Sequence, residues 1–365
     1  MVGLKEPVTF EALGGWPGVL GRLVARDDLQ AAEARAALGE ILAGQATPAQ
    51  IAAFAVALRL KGETVDEMSG LVRAMLDHAE ALSVDGDLVD TCGTGGDRSR
   101  TINVSTIAAF VVAGAGARVC KHGGRAATSI AGSADVLEAL GVIIDLGPAG
   151  VTRCVEEVGM GFCFAPRFHP AMRFAAPVRA ELGVPTVFNF LGPLANPGRV
   201  CFQVIGVSDP AMAEKMLGVL ARNGCRRAMV VHGADNLDEL STTGPTDVVE
   251  LLEPVPGAAA DDLEVRLRRS IIDATDLGLP RVHLEDLRGS DAGANAAVVQ
   301  RVLGGELGPK RDIVVLNAAA ALVVCGRVAD MAAGVEAAAS AIDDGRARRV
   351  LDDLVRVSQS CAEGA

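Results

Sequence analysis

The chain has 365 residues, too many for one small core, so two domains are the expectation. Half of the residues are hydrophobic, 3% are aromatic, and 34 Lys and Arg against 46 Asp and Glu leave a formal net charge of −12. That balance argues against a general binder of the nucleic-acid backbone, and one Trp with no Tyr argues against stacking platforms for single strands. An acidic chain that still binds phosphate must do it with local donors and a divalent cation. Eight cysteines, at 92, 120, 154, 163, 201, 225, 325 and 361, include no CxxC pair, so neither a zinc site nor a disulfide framework is expected. Lys5, Glu6 and Glu11 interrupt any apolar run at the start, and the longest apolar stretch, 107–117, is too short to cross a bilayer. The expectation is a cytoplasmic protein of a reducing compartment, without a membrane or nucleic-acid partner.

In chain order, residues 1–82 read as helical. One helix is expected over 30–43. Thr47-Pro48 is a helix cap followed by proline at the first helical position, opening 51–61 with Gly62 as the stop. Thr64-Val65-Asp66-Glu67 forms a capping box ahead of Met68, Leu71, Val72, Met75, Leu76 and Ala79, which share one helical face. Some eighty residues cannot hide these apolar faces by themselves. They bury against a second copy in a homodimer or against the rest of the chain, and the sequence does not choose. The expected domains are 1–83, helical, and 84–365, with a helix over 170–183 packing near the first.

From Leu88 the texture changes. Short apolar or β-branched runs at 117–120, 142–145, 202–207 and 228–232 alternate with helix candidates at 133–140, 148–158 and 210–223. That alternation predicts an α/β domain with a mainly parallel central sheet and crossover helices, in which ligands sit beyond the carboxyl ends of strands. Helices return at 292–303, 311–325 and 331–341.

Four polar clusters punctuate this region. The first is Gly93-Thr94-Gly95-Gly96-Asp97, placed between the apolar Leu88-Val89 and a helix start at Asn103-Val104-Ser105-Thr106. Glycines at this density free the backbone to expose consecutive N–H groups, and the helix terminus adds donors and positive potential; the chemistry is that of a phosphate nest. The second, Lys121-His122-Gly123-Gly124-Arg125-Ala126-Ala127-Thr128-Ser129, follows the strand candidate ending at Cys120 and reads as another anion-binding loop. Ser133 either caps the next helix or adds a hydroxyl to that loop. The third, Asp235-Asn236-Leu237-Asp238-Glu239, suits Mg²⁺, a hard cation that takes oxygen ligands, against the alternative of a solvated acidic loop. The fourth runs through Ala165-Pro166-Arg167-Phe168-His169-Pro170, Arg179 and residues 188–197. Taken singly, Arg179 on a helix begun by Pro170 reads as a surface cation and His169 as a structural histidine.

Together the clusters closely resemble the anthranilate phosphoribosyltransferase family. GTGGD (93–97), T-x-N-x-S-T (101–106), KHGxR (121–125), HPAM (169–172), LGPLxNP (191–197), D-x-L-D-E (235–239) and NAAAAL (317–322) occur in that family's order and spacing. The resemblance implies the fold of the pyrimidine nucleoside phosphorylases: a small helical N-terminal domain, a larger α/β domain, and a homodimer through the helical part. It implies that phosphoribosyl pyrophosphate binds between the domains on Gly93, Gly96, Asp97, Thr101, Asn103, Val104, Ser105 and Thr106. Lys121, His122, Gly123, Gly124, Arg125, Ala126, Ala127, Thr128, Ser129 and Ser133 complete that site. Ser105, Asp238 and Glu239 are the implied Mg²⁺ ligands, Arg179 the partner of the anthranilate carboxylate, and Gly93, Gly124, His169 and Gly192 the lining of the acceptor pocket.

The family's chemistry suits these residues. Loss of pyrophosphate from C1 of ribose builds charge on the ring and the leaving group, so the work is positioning and electrostatic stabilisation. The aromatic amine of the acceptor is neutral near pH 7 and needs no strong base, in keeping with the lack of a Ser-His-Asp or Cys-His constellation. One departure concerns the acceptor: the family usually carries Asn after KHG, and here the residue is Gly124. A missing side-chain amide removes a hydrogen bond of about 0.5–1.5 kcal/mol. Rival readings are a same-fold phosphorylase or transferase with another aromatic acceptor, countered by HPAM, Arg179 and LGPLxNP. A non-catalytic nucleic-acid-binding relative is countered by the −12 charge and the Asp238-Glu239 pair.

Overall fold

The computed structural model describes residues 8–97, 99–126, 130–253 and 266–363. Four helices open the chain: α1 (Gly15–Val24), α2 (Ala31–Leu42), α3 (Pro48–Lys61) and α4 (Val65–Asp77). The two expected caps form reciprocally. The Thr47 hydroxyl accepts from the Gln50 N–H while Gln50 accepts from the Thr47 N–H, and Thr64 and Glu67 do the same. Such caps contribute about 0.5–2 kcal/mol each and fix where these short helices begin.

Among the described residues seven strands follow in one sheet: β1 (Val89–Gly93), β2 (Val119–Gly123), β3 (Met160–Phe164), β4 (Phe202–Gly206), β5 (Arg227–Gly233), β6 (Thr246–Leu251) and β7 (Leu267–Ile272). Their order is β3-β2-β1-β4-β5-β6-β7, parallel from β3 to β5 and antiparallel beyond. Strand order therefore reverses between β1 and β4, and a crevice opens at such a switch point beyond the strand ends. The connecting helices are α5 (Val104–Gly114), α6 (Ser133–Ala139), α7 (Pro148–Val158), α8 (Ala165–Phe168), α9 (Ala176–Leu182), α10 (Phe188–Leu194) and α11 (Ala213–Arg222). The chain closes with α12 (Ala292–Leu303), α13 (Pro309–Val324), α14 (Met331–Asp343) and α15 (Arg346–Glu363).

Side-chain alternation along the central strands divides the core in two. Val204, Met229 and Val231 face a cluster with α5 and the C-terminal helices. Ile205, Ala228 and Val230 face a second cluster containing Phe188 and Leu191 of α10, Met216 and Leu217 of α11, and Leu38, Phe54, Leu58, Met68 and Leu71 of the N-terminal helices. Most of the N-terminal apolar surface thus packs on the same chain, because α10 and α11 present a matching apolar face. Val24 and Leu60 remain 77% and 72% exposed.

Several expected elements differ. Residues 142–145 do not pair with a strand. The Val142 N–H bonds to Leu137 O and the Ile143 N–H to Ser358 Oγ, so a buried-exposed alternation that mimics a strand belongs to a connection between helices. β2 does not stop at Cys120 but carries Lys121, His122 and Gly123 in register with Phe162, Cys163 and Phe164 of β3. β3, β6 and β7 lie in stretches without a long β-branched run, and β7 is an exposed edge with polar residues. The helix carrying Arg179 begins at Ala176, after a separate 3₁₀ turn over Pro170–Phe174.

Candidate active site

The acidic loop after β5 rests directly on the glycine turn after β1. The Gly95 N–H donates to Asp238 Oδ2 at 2.7 Å, with Gly95 and Gly96 in the left-handed region at φ of 67° and 86°. Space there is tight: a Cβ on Gly93 would lie 2.3 Å from Asp238 Oδ2, and one on Gly206, at the end of β4, 1.5 Å from Asp238 O. At the start of α5 the Ser105 N–H donates to Glu239 Oε1 at 3.2 Å, and Lys121 Nζ, from the end of β2, donates to Ser105 Oγ at 3.4 Å and to Thr91 O. Ser105, Lys121, Asp238 and Glu239 therefore converge.

Burial, then repulsion from Asp97, raises the Asp238 carboxyl above its ordinary range; burial, then Asp238, raises Glu239, with the buried Lys121 ammonium opposing. Two crowded carboxylates with one ammonium to share form an electrostatic vacancy for further positive charge. The donors are carboxylate and hydroxyl oxygens, the set a hard divalent cation takes. Among the described residues no three His, Cys, Asp or Glu side chains form a ready chelate. An ion here would complete its shell with hydroxyl, water and ligand oxygens, which is the ordinary habit of Mg²⁺.

The remaining donor-loop residues are held in different ways. Asn103 donates to Ala131 O and accepts from Asn295 Nδ2, each at 2.9 Å. Thr106 Oγ1 donates to Ser133 Oγ at 2.8 Å, and Thr101 forms an isolated antiparallel bridge with Arg288. The Asp97 carboxylate accepts from the Ser99 hydroxyl at 2.6 Å. The Val104 side chain lies in the core and its N–H bonds to Ile102 O. Arg125, half-exposed, pairs at 2.9 Å with both Asp135 and Glu138 of α6, and the Ala126 N–H donates to Asp135 Oδ2 at 3.0 Å. Its guanidinium is thus committed to α6, the helix that follows it in the chain. Ala127, Thr128 and Ser129 lie outside the described residues.

Adjacent residues on β2 face opposite sides of the sheet, so Lys121 serves the acidic cluster and His122 turns the other way. The His122 ring lies 5.1 Å from that of His169, beside the Gly192 carbonyl, and the His169 ring bonds through Nε2 to Ala195 O at 2.9 Å. Burial, then His169, lowers His122 to about 3, and burial lowers His169 too. Both are neutral at physiological pH. The Arg179 guanidinium sits over the Phe188 ring, 5.6 Å from its centroid, with no carboxylate partner among the described residues; burial lowers its pKa. A half-buried cation without a counter-ion is a slot for an anion. At Gly124 a Cβ would meet only the Ala165 Cβ, at 4.0 Å.

Between the two sides lies a polar brace. Asp90, fully buried, accepts from Asn196 Nδ2 at 2.8 Å and from the His122 N–H at 3.3 Å; Asn196 Nδ2 also donates to Cys120 O at 2.8 Å. Burial pushes the Asp90 carboxyl up to about 6 against the opposing charge of Lys121. Asp90, Asn196, Gly206 and Asn295 carry no role in the sequence reading, although a polar residue inside an apolar strand was a usable signal for Asp90.

Residues 17–79 match the glycosyl transferase family, helical bundle domain, and residues 85–348 the glycosyl transferase family, a/b domain. The chain is 54% identical over 345 residues to the anthranilate phosphoribosyltransferase of a Nocardioides species, covering 93% of this chain and 98% of that protein. The crystal structure of the anthranilate phosphoribosyltransferase of Thermus thermophilus superposes with a TM-score of 0.85 at 40% identity, covering 93% and 99% of the two chains. That of Saccharomyces cerevisiae, in complex with phosphoribosyl pyrophosphate and Mg, superposes with a TM-score of 0.84 at 26% identity, covering 94% and 98%.

Proposed function

The chain belongs to the anthranilate phosphoribosyltransferase family, and on that premise we propose how its residues carry the reaction. It transfers the phosphoribosyl group of 5-phosphoribosyl 1-pyrophosphate to the amine of anthranilate, releasing pyrophosphate, in tryptophan biosynthesis. The observation that supports the residue assignment best is the convergence of the Gly95 N–H, Ser105, Lys121, Asp238 and Glu239 beyond the strand ends beside the switch point.

On this reading Gly93, Gly96, Asp97, Thr101 and residues 103–106 take pyrophosphate and ribose, joined by the 121–129 segment and Ser133. Ser105, Asp238 and Glu239 hold Mg²⁺, which when bound neutralises the departing pyrophosphate. Lys121 adds a buried ammonium on the same side, and the glycine turn adds N–H donors where negative charge grows. The C1–oxygen bond breaks, the C1–nitrogen bond forms, and the amine proton leaves to solvent or pyrophosphate. Arg179 pairs with the acceptor carboxylate, while His169, Gly192, Gly93 and Gly124 line its ring. Neutral His122 and His169 keep that pocket free of charges that would compete for the carboxylate.

We assign the domains to 1–83 and 84–365, and a homodimer to the helical part, where Val24 and Leu60 stand exposed. A cytoplasmic location accords with the finding that no helix among the described residues is long and apolar enough to cross a membrane. The test of the activity is the fluorescence of anthranilate mixed with the protein, phosphoribosyl pyrophosphate and Mg²⁺. The signal decays as the product forms; a constant signal at every substrate concentration overturns the reading. Decay with another aromatic amine but not anthranilate would move the acceptor assignment to the rival.

A further inference from the structure

The helix α13 is buried and apolar from Ile313 to Val324 except for one residue, Asn317, which is 3% exposed. A carboxamide in that position loses its water and is tolerated only with its own partners. It has them all. Asn317 Oδ1 accepts from the Leu240 N–H at 2.9 Å, and Nδ2 donates to Leu240 O at 2.9 Å and to Ile313 O at 2.8 Å. Both main-chain groups of one residue are clasped by one side chain, as a neighbouring strand would clasp them. Leu240 directly follows Glu239 in the chain.

Other bonds tie the same loop: the Gly233 N–H to Leu237 O at 2.9 Å and the Gly95 N–H to Asp238 before Glu239, and the Ser241 N–H to Thr246 Oγ1 at 2.9 Å and the Val282 N–H to Thr242 O at 3.1 Å after it. The Asn317 clasp differs from these in holding both main-chain groups of the residue that directly follows Glu239. The helix that carries Asn317 also packs along α5, whose first turn bears Ser105. One helix therefore contacts both the loop that carries Glu239 and the helix whose first turn carries Ser105, the two elements that must approach each other if these residues are to share an ion.

We propose that Asn317 is a positioning residue for the cation site: it fixes Glu239 relative to Ser105 and so sets the affinity for the divalent ion. The proposal rests on the assignment of Ser105, Asp238 and Glu239 as the ligands. Asn317 touches neither substrate, and its effect falls on the donor side and not on the acceptor.

The test is direct binding of Mn²⁺ to the full chain in the presence of inorganic pyrophosphate, read from the electron paramagnetic resonance signal of free Mn²⁺. Asn317→Ala is expected to weaken Mn²⁺ binding by about 10- to 100-fold, the usual effect of removing a residue that orients a metal ligand. The Michaelis constant for anthranilate at saturating Mg²⁺ stays unchanged. Asn317→Asp keeps the size of the side chain and the bond from the Leu240 N–H but loses the donor to Leu240 O and to Ile313 O, and it shows the same direction of change if the alanine variant fails to fold. A role in packing alone would lower the melting temperature and leave the Mn²⁺ affinity of the folded variant intact, which overturns the proposal. Glu239→Gln is measured alongside. If it weakens Mn²⁺ and the folded Asn317 variants do not, Asn317 has no positioning role while the ligand assignment stands. If Glu239→Gln also leaves the affinity unchanged, the ligand assignment fails and the proposal falls with it.

Discussion

Asn196 donates its carboxamide to the Asp90 carboxylate at 2.8 Å, and both side chains are shielded from solvent. Through this bond the segment after α10 is tied to β1, and the second Asp90 oxygen ties β1 to the His122 N–H on β2. Replacing Asn196 by Ala strands a buried carboxyl group with one partner fewer. We expect Asn196→Ala to lower unfolding stability by about 1.5–3 kcal/mol, the range for hydrogen bonds to charged groups. The Michaelis constant for anthranilate rises more than that for phosphoribosyl pyrophosphate, because the freed segment carries the Ala195 carbonyl that holds His169 and directly follows α10, which carries Gly192. Chemical denaturation and steady-state kinetics on the same preparation check both.

Gly206→Ala tests the contact between β4 and the acidic loop. Its Cβ would fall 1.5 Å from a backbone oxygen of Asp238, so the loop and not a side-chain tip must move. We expect loss of more than 100-fold in kcat/KM, equivalent to about 2.7 kcal/mol or more of transition-state stabilisation. Far-ultraviolet circular dichroism should stay close to that of the parent. Activity within tenfold of the parent would show that the loop does not need this approach.

Acid weakens the fold through His122. Its pKa falls from 6.5 to about 3 on folding, so the unfolded chain takes up the proton first as pH drops. The stabilisation is complete above 6.5 and is lost progressively towards 3, a loss of about 2 kcal/mol at pH 5 from this group alone. Asp90 works in the opposite direction: raised from 3.8 to about 6, it makes the folded state the tighter proton binder between those values and returns about 1.4 kcal/mol at pH 5. Removing the imidazole separates the two. In His122→Asn the change in melting temperature from pH 7 to pH 5 should be more favourable to the fold than in the parent, in which Asp90, Asp238 and Glu239 oppose His122; an equal change would assign the acid sensitivity elsewhere.

Gly124→Asn is expected to lower the Michaelis constant for anthranilate. The backbone there is not in the left-handed region and a Cβ meets only one methyl at van der Waals distance, so the side chain enters without strain. A restored amide contact corresponds to about 0.5–1.5 kcal/mol, or roughly two- to twelvefold. An unchanged or higher value would mean that the glycine is more than a missing contact.

Much of the site was legible because its chemistry is local in sequence: glycine turns, a basic loop and a pair of carboxylates each sit in a few consecutive residues after a strand. The helix starts were legible for the same reason, since Thr47 and Thr64 announce themselves within three residues. What escaped depends on distant partners. Nothing near Asn317 signals that its amide serves Leu240, and nothing near Arg125 signals that Asp135 and Glu138 occupy it. The 142–145 run has strand-like alternation, and only the position of α15 explains why its Ile143 N–H finds Ser358 instead of a strand. Whether Lys121 and His122 belonged to a loop or to a strand turned on β3, which has no β-branched residue to mark it.

The same long reach governs when the site can exist. Gly95 and Asp238 are 143 residues apart, Asp90 and Asn196 are 106 apart, and Asn103 and Asn295 are 192 apart. Contacts of such separation form late, after the loop-closure entropy of the intervening chain has been met. During synthesis every proposed ligand through Glu239 emerges from the ribosome before α12 and α13 do. A nascent chain at that point carries the full set of reactive side chains and neither of the C-terminal asparagines, Asn295 and Asn317, that fasten them, so the fastened site waits for α12 and α13 to emerge.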